Sequence, residues 1–201
     1  MSKLHECDIA HLRPTQITVG MIEVEDKRKI LAALGHHERR EYLEAHPIPA
    51  VRGPEDKLYI TDHHHLGRAL HDDKFDSAFF LVEADLSAVD PDSFWEHMHL
   101  ERWTHPVDAQ GKRCDYASIP HHLQGLIDDP YRSLAGYVRN AGGYEKTPTA
   151  FAEFLWADFF RKRIALDGTR AVFNEAVERA LALAHSEAAH TLPGYLDVAK
   201  R

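Results

Sequence analysis

The chain is short of several things that would have narrowed its role. It holds two cysteines in 201 residues, Cys7 and Cys114, and neither sits in a CxxC pair. That excludes a disulfide framework and a Cys-rich zinc module. No stretch reaches the roughly 18 consecutive apolar residues of a membrane helix. The N-terminal MSKLHECDIAHLRP has no apolar core of a secretion signal. These features set the expectation of a reducing, cytoplasmic setting and no membrane partner. Positive charge is also scarce: 24 Lys and Arg stand against 32 Asp and Glu, a net charge of −8. A protein that coats DNA or RNA needs a basic face to neutralise phosphates, so nucleic acid is not the expected partner.

What is present is an ordinary globular composition, 44% apolar and 28% charged, with 16 histidines. The length suits one domain with a helical extension. Residues 15–24 read as an extended lead-in. Residues 26–34 read as a helix with Ile30, Leu31 and Leu34 inward and Gly35 as its stop, and 37–45 continue helically. Two short strands, 48–52 and 57–61, flank a Gly-Pro-Glu-Asp turn. Asp62 is expected to cap a helix over 63–71, and 78–84 is expected as a buried strand. The second half reads as helices from Asp90-Pro91, from Asp129-Pro130 to Gly142-Gly143, over 149–164 and over 170–185. The expected class is α/β: residues 1–86 a mixed sheet with helices, residues 87–201 a mostly helical part packed on it. The aromatic-rich helix 149–164 serves a core or a dimer face equally well.

The most informative motif is Asp62-His63-His64-His65, between a strand and a helix. Strand ends that lead into helices are favoured ligand positions in α/β folds. The first helical turn offers free N–H groups and a positive dipole, which suit a phosphate. Imidazoles there can donate to phosphate oxygens, move protons or bind a metal. Successive helical residues lie about 100° apart, so at most two of the histidines face one site. Arg68 follows His64 by one turn and is a candidate for neutralising anion charge. The plainer alternative is a capping Asp62 beside surface histidines.

The order strand, DHHHLGRAL (62–70), helix, strand resembles the ParB/sulfiredoxin-like fold, whose members carry a short box at this junction, in one form Asp-Gly-His-His-Arg. Asp62, His64 and His65 match that form; His63 stands where it has Gly and Leu66 where it has Arg. With DDPYRSLAGYVR (128–139) and FAEFLWADFFR (151–161), the chain resembles the branch catalogued as ParB-like putative nucleases. The resemblance implies a box that holds nucleotide phosphates, as partition ParB does CTP, sulfiredoxin ATP and a free serine kinase ADP. It gives no support to sulfinic acid reduction, because sulfiredoxin's box cysteine is absent. The helix-turn-helix DNA reader of partition ParB is not recognisable either. Glu23, in the lead-in, resembles the acidic residue that the serine kinase uses as a base. It would take a hydroxyl proton or support Mg²⁺; a solvated Glu on an alternating strand with Glu25 is the alternative. Gln16 and Lys27 flank the same element, and Gln16 is a candidate ligand contact.

Asp128-Asp129-Pro130-Tyr131-Arg132-Ser133 is a second signal. Asp129 and Pro130 are explained by helix initiation. Asp128, Arg132 and Ser133 are not, and are candidates for anchoring a carboxylate or phosphate. Asp158 falls on the apolar side of helix 149–164 and needs Arg161 or Lys162 as partner.

Three functions follow as expectations. The first is a small-molecule enzyme, a phosphotransferase or hydrolase, acting on a phosphorylated or nucleotide ligand, with Mg²⁺ as the accompanying ion. In it, Asp62 positions, His64 and His65 contact phosphate or move protons, and Glu23 is the base. The second is a metal-dependent hydrolase or nuclease in which His64, His65 and Glu23 bind a transition metal. The third is a non-catalytic module that responds to nucleotide by changing its oligomeric state.

Overall fold

The computed structural model describes residues 4–167 and 169–197. They form two compact units, which meet in sequence between Asp128 and Asp129. The border falls later than the expected 86/87. Leu86, Phe94 and Met98 bury against Val51 of the sheet, and Ile127–Asp128 pairs with Thr18–Val19, so residues 87–128 count with the first unit.

The first unit is built on a five-stranded mixed sheet. Its strands are β1 (Leu4–Asp8), β2 (Leu12–Arg13), β4 (Ile48–Arg52), β5 (Leu58–Ile60) and β6 (Ser77–Asp85), in the order β1-β6-β4-β5-β2. β6 runs antiparallel to β1 and parallel to β4; β4 is antiparallel to β5, and β5 is parallel to β2. The Gly53–Asp56 turn does join β4 to β5, with Glu55 and Asp56 at positive φ. Two further short strands, β3 (Thr18–Val19) and β7 (Ile127–Asp128), pair in parallel apart from this sheet. Helices α1 (Met21–Ala33), α2 (His36–Ala45), α3 (His64–Asp72) and α4 (Pro91–Leu100) complete the unit. Its core gathers Val24 and Leu31 of α1, Leu66 and Leu70 of α3, and Ile48, Ile60 and Phe80 of the sheet.

Helix α1 starts five residues before the expected position, so the extended reading of 15–24 holds only to Gly20. The alternation Ile22, Val24 mimics a strand. The start is fixed by Asp128, whose Oδ1 accepts the Met21 N–H at 2.9 Å from 107 residues away, which no local pattern reveals. Leu31 is buried, but Ile30 is 45% exposed and Leu34 is only half-buried. Gly35 opens α2 rather than closing α1 in the left-handed region, and its N–H goes to Glu38.

The second unit holds α5 (Pro130–Asn140), α6 (Ala152–Arg161) and α7 (Arg170–Ala184). Asp129 caps α5 by accepting the Tyr131 N–H, with Pro130 at the first helical position. Gly142 at φ 83 ends it; the Gly143 N–H reaches Val138 O and the Gly142 N–H reaches Arg139 O, the paired closure that favours glycine here. Trp156 is fully buried, stacks on Tyr144 at 4.3 Å and donates to Pro193 O. Thr169 caps α7; of the stripe its periodicity predicts, Phe173, Ala176 and Ala180 are buried, while Val177 and Leu181 are half-buried. Asp158 has its Arg161 partner at 3.4 Å, but it is partly exposed rather than buried, and Arg161 makes the shorter contact with Asp129. Among the described residues no helix is long and apolar enough to cross a membrane.

Candidate functional site

The candidate residues Glu23, Asp62, His63, His64 and His65 lie where α1 and α3 both begin. β5 ends at Ile60 and the chain turns through Thr61 and Asp62. Asp62 is exposed, and its Oδ1 accepts the His63 N–H at 2.6 Å. It is therefore a turn-forming residue; the N-cap of α3 is His63, which provides no side-chain cap of its own. His63 lies in the left-handed region at φ 60, ψ 29. Glycine adopts that conformation without strain, and histidine is among the non-glycine residues that tolerate it. The residue standing in the box's glycine position thus keeps a glycine backbone. Burial holds the His63 imidazole below its ordinary pKa, and Lys27 pushes the same way, while Asp62 and the Pro47 carbonyl pull it back up.

His64 turns inward and is 2% exposed. Its Nε2 accepts the Thr15 N–H at 3.2 Å and lies 3.3 Å from Thr15 Oγ1, which itself donates to Ile60 O at 2.7 Å. That places the ring proton on Nδ1. Thr15 O in turn receives Thr104 Oγ1. His64 therefore ties the lead-in to the end of β5, and its Nε2 is spent there rather than on a phosphate. Gln16, 7% exposed, pairs through its backbone with His105.

His65 faces the other way, toward the start of α1. Its Nε2 accepts the Gly20 N–H at 3.1 Å and stands 3.3 Å from Glu23 Oε2. Both side chains are largely shielded, 13% exposed for His65 and 16% for Glu23. Glu23 sits in the first turn of α1, not on an alternating strand, and this is what brings its carboxyl to His65. Asp128 completes the group from β7 through the Met21 N–H. Desolvation raises the Asp128 pKa above the usual carboxylate range; the Met21 N–H opposes this and the Glu25 carboxylate adds to it. Beside them Thr18 is fully buried, and its Oγ1 has no partner among the described residues.

Arg68 does not belong to this site. Its Nε–H is shared between the two Asp72 carboxylate oxygens at 2.8 and 2.9 Å, and its Nη1 donates to Leu126 O at 2.8 Å. Held by its i+4 carboxylate through Nε and by a carbonyl through Nη1, the guanidinium fastens segment 123–126 to α3. In the second unit Arg132 is 4% exposed, with its guanidinium 3.6 Å from the Phe154 ring and 4.0 Å from Glu153. Glu153 also pairs with Arg139. Ser133 is fully buried, and its hydroxyl lacks a partner among the described residues. Asp129, 1% exposed, is held by Arg161 at 2.8 Å, which adds an ion pair to its capping role.

The sequence reading overlooked Thr15, Thr18 and Gly20. A run of small and polar residues, Thr15-Gln16-Ile17-Thr18-Val19-Gly20, was the available signal. For the transition-metal expectation the arrangement offers little: among the described residues no three His, Cys, Asp or Glu side chains form a group that could hold a metal ion. Mg²⁺ places a lighter demand, since it is held by one or two carboxylates with water and substrate phosphates; Glu23 is the carboxylate present.

A mixed sheet with a strand–turn–helix box, joined to the start of α1, defines a ParB-like α/β protein. The family model described as "Putative ParB-like nuclease" matches residues 5–162, and the chain belongs to that family. Among solved structures, the crystal structure of protein Atu1540 from Agrobacterium tumefaciens is similar over 98% of this chain and 97% of its own, with 42% identity and a TM-score of 0.90. No curated protein matches.

Proposed function

We propose that the chain is an enzyme that binds a phosphorylated small molecule, a nucleotide in the first instance, and transfers or hydrolyses its phosphoryl group where α1 and α3 begin. The observation that carries this reading is the placement of His65 Nε2 within 3.3 Å of the Glu23 carboxyl and 3.1 Å of the Gly20 N–H. A carboxylate and an imidazole in contact, shielded from solvent, form an acid/base pair. Beside them, the first N–H groups of each helix lack acceptors within the helix and favour an oxyanion.

The proposal assigns each residue a role. Glu23 takes the proton of an attacking water or hydroxyl as the new O–P bond forms. Protonated His65 supplies a proton to the oxygen that leaves phosphorus. The turn at Asp62 and His63 sets the α3 N-terminus, and His64 holds the lead-in against β5. Mg²⁺, when bound, would neutralise phosphate charge beside Glu23. A cytoplasmic setting and a small-molecule partner accord with the two free thiols and the net charge of −8.

A second reading, phosphodiester cleavage of nucleic acid, is favoured by the description of the family. It uses the same residues, and the acidic balance counts against a long polynucleotide. Calorimetric titration with CTP, ATP and ADP, each with Mg²⁺, tests the first reading, alongside assays of phosphate release and oligonucleotide cleavage. Saturable nucleotide binding, with turnover lost in Glu23→Gln and His65→Ala, is the expected result. Cleavage of oligonucleotides without mononucleotide binding would transfer the assignment to the second reading. Binding without any turnover, with a change in oligomeric state, would make the chain a regulatory module.

A further inference from the structure

Helix α3 has a second end, which borders a cavity that the phosphate reading does not use. Lys74 lies in the left-handed region at φ 57. Its N–H bonds His71 O and the Phe75 N–H bonds Leu70 O, the closure that ends a helix and turns the following residue back onto it. Asp76 O then accepts the Ile9 N–H at 3.1 Å, which ties this end to the short turn Ile9–His11. Residues of these two segments and of the turn Leu123–Gly125 line a cavity of about 370 Å³. That is within the range of small-molecule sites. Its buried lining is apolar, Ile9, Leu12 and Leu123, and Phe75 adds a half-buried aromatic ring. All of these residues belong to the first unit.

We propose that this cavity binds a small organic cation, a primary amine carried on an apolar or aromatic body. The carboxylates in its lining are Asp8 and Asp76, and no Lys or Arg is among the described lining residues. Asp8 spends Oδ1 on the Ala10 N–H at 2.7 Å, which leaves its other oxygen for a ligand. His71 adds an acceptor: its Nδ1 donates to Asp72 Oδ1 at 3.2 Å, so the neutral ring carries its lone pair on Nε2. The negative end of the α3 dipole falls at the same place. His122, also in the lining, does not offset this charge at neutral pH. Desolvation, and then Arg13, His121, His71 and Lys57, hold its imidazole below its ordinary pKa. Arg13 itself is committed to the Ala10 and Leu12 carbonyls. Among the described residues no three His, Cys, Asp or Glu side chains are placed to hold a metal ion, so the cation is an organic one. An ammonium meets acceptors here, whereas a carboxylate or phosphate would meet two like charges.

The test uses probes with one body and different charges: phenethylamine, phenethyl alcohol and phenylpropionate. Each is titrated at neutral pH into the full-length protein and followed by amide NMR. The amine should shift the Ile9, Ala10, Asp76 and Gln124 amides along a saturating curve, in the millimolar range or below. The alcohol should bind several-fold more weakly, and the carboxylate should leave these amides unmoved. Asp8→Asn and Asp76→Asn should each weaken the amine about threefold and leave the alcohol unchanged. Asn at position 8 still accepts the Ala10 N–H, so the turn is kept. Ala10→Trp, at an exposed position of the lining, should block the amine. Equal affinity for amine and alcohol, or tighter binding of the carboxylate, would overturn the cation. An amine that leaves these amides unmoved, or that binds Ala10→Trp as well as the wild type, would overturn the site. The comparison of the three probes on the wild type needs no variant to fold. Neither outcome bears on the phosphate reading, which uses the opposite end of α3.

Discussion

Two successive turns of α3 make an instructive contrast. The first, His63 to His65, and the second, from Arg68 to Asp72, are both polar and both mostly shielded from solvent. In the second turn every demand is met: one guanidinium answers one carboxylate and a carbonyl. In the first turn one nitrogen faces a donor and an acceptor together, and a histidine holds a backbone angle suited to glycine. A saturated polar cluster holds structure. A cluster with competing demands and local strain has energy that a ligand or a proton can redirect. The contrast also separates Arg68 from the His65–Glu23 contact, a distinction that spacing along the helix does not make.

The contrast can be broken most forcefully from the saturated side. Arg68→Met should destabilise the fold by ~3 kcal/mol, because in a shielded place the Leu126 carbonyl loses its Arg68 bond and Asp72 keeps only His71. Urea denaturation measures the loss, and nucleotide affinity of the folded fraction should not change. An affinity loss as large as that of His65→Ala would return Arg68 to the site.

A smaller effect is expected at His63. If φ 60 is what matters there, His63→Gly should be more stable than His63→Ala by about 1 kcal/mol, because only glycine takes that angle freely. Equal thermal midpoints would show that the turn relaxes to an ordinary backbone angle. The imidazole has a pH signature too. Its pKa is depressed by burial, so the unfolded chain binds the proton more readily; stability is full above the ordinary histidine pKa and declines as pH falls through it. His63→Gly should lose that part of the acid sensitivity.

The subtlest change concerns Asp128. Its carboxyl is raised in the folded state, so its contribution to stability is present below the unfolded carboxylate pKa and is lost as pH rises through the folded value. Asp128→Asn keeps an oxygen for the Met21 N–H and removes the desolvated charge. It should be more stable than the wild type at pH 7, with the difference closing as the pH is lowered. A constant difference from pH 3 to 7 would contradict the desolvation argument.

Much of the local structure was written in short-range signals. Asp129-Pro130 opens α5, Gly142 closes it, Thr169 caps α7, and the Gly53–Asp56 turn joins β4 to β5, each through contacts within a few residues. The box was legible as a place, and the mixed α/β class with a helical later part was legible as a pattern. The beginning of α1, the inward turn of His64 and the meeting of His65 with Glu23 were not. They depend on partners 107, 49 and 42 to 45 residues away, respectively. A hydrogen bond between distant residues leaves no periodicity in the chain; it exists only once the sheet and the two helices have brought both groups out of water. Residue types and nearby caps thus settled which groups were available. Long-range packing settled which of them were saturated and which were left with more than one partner to answer.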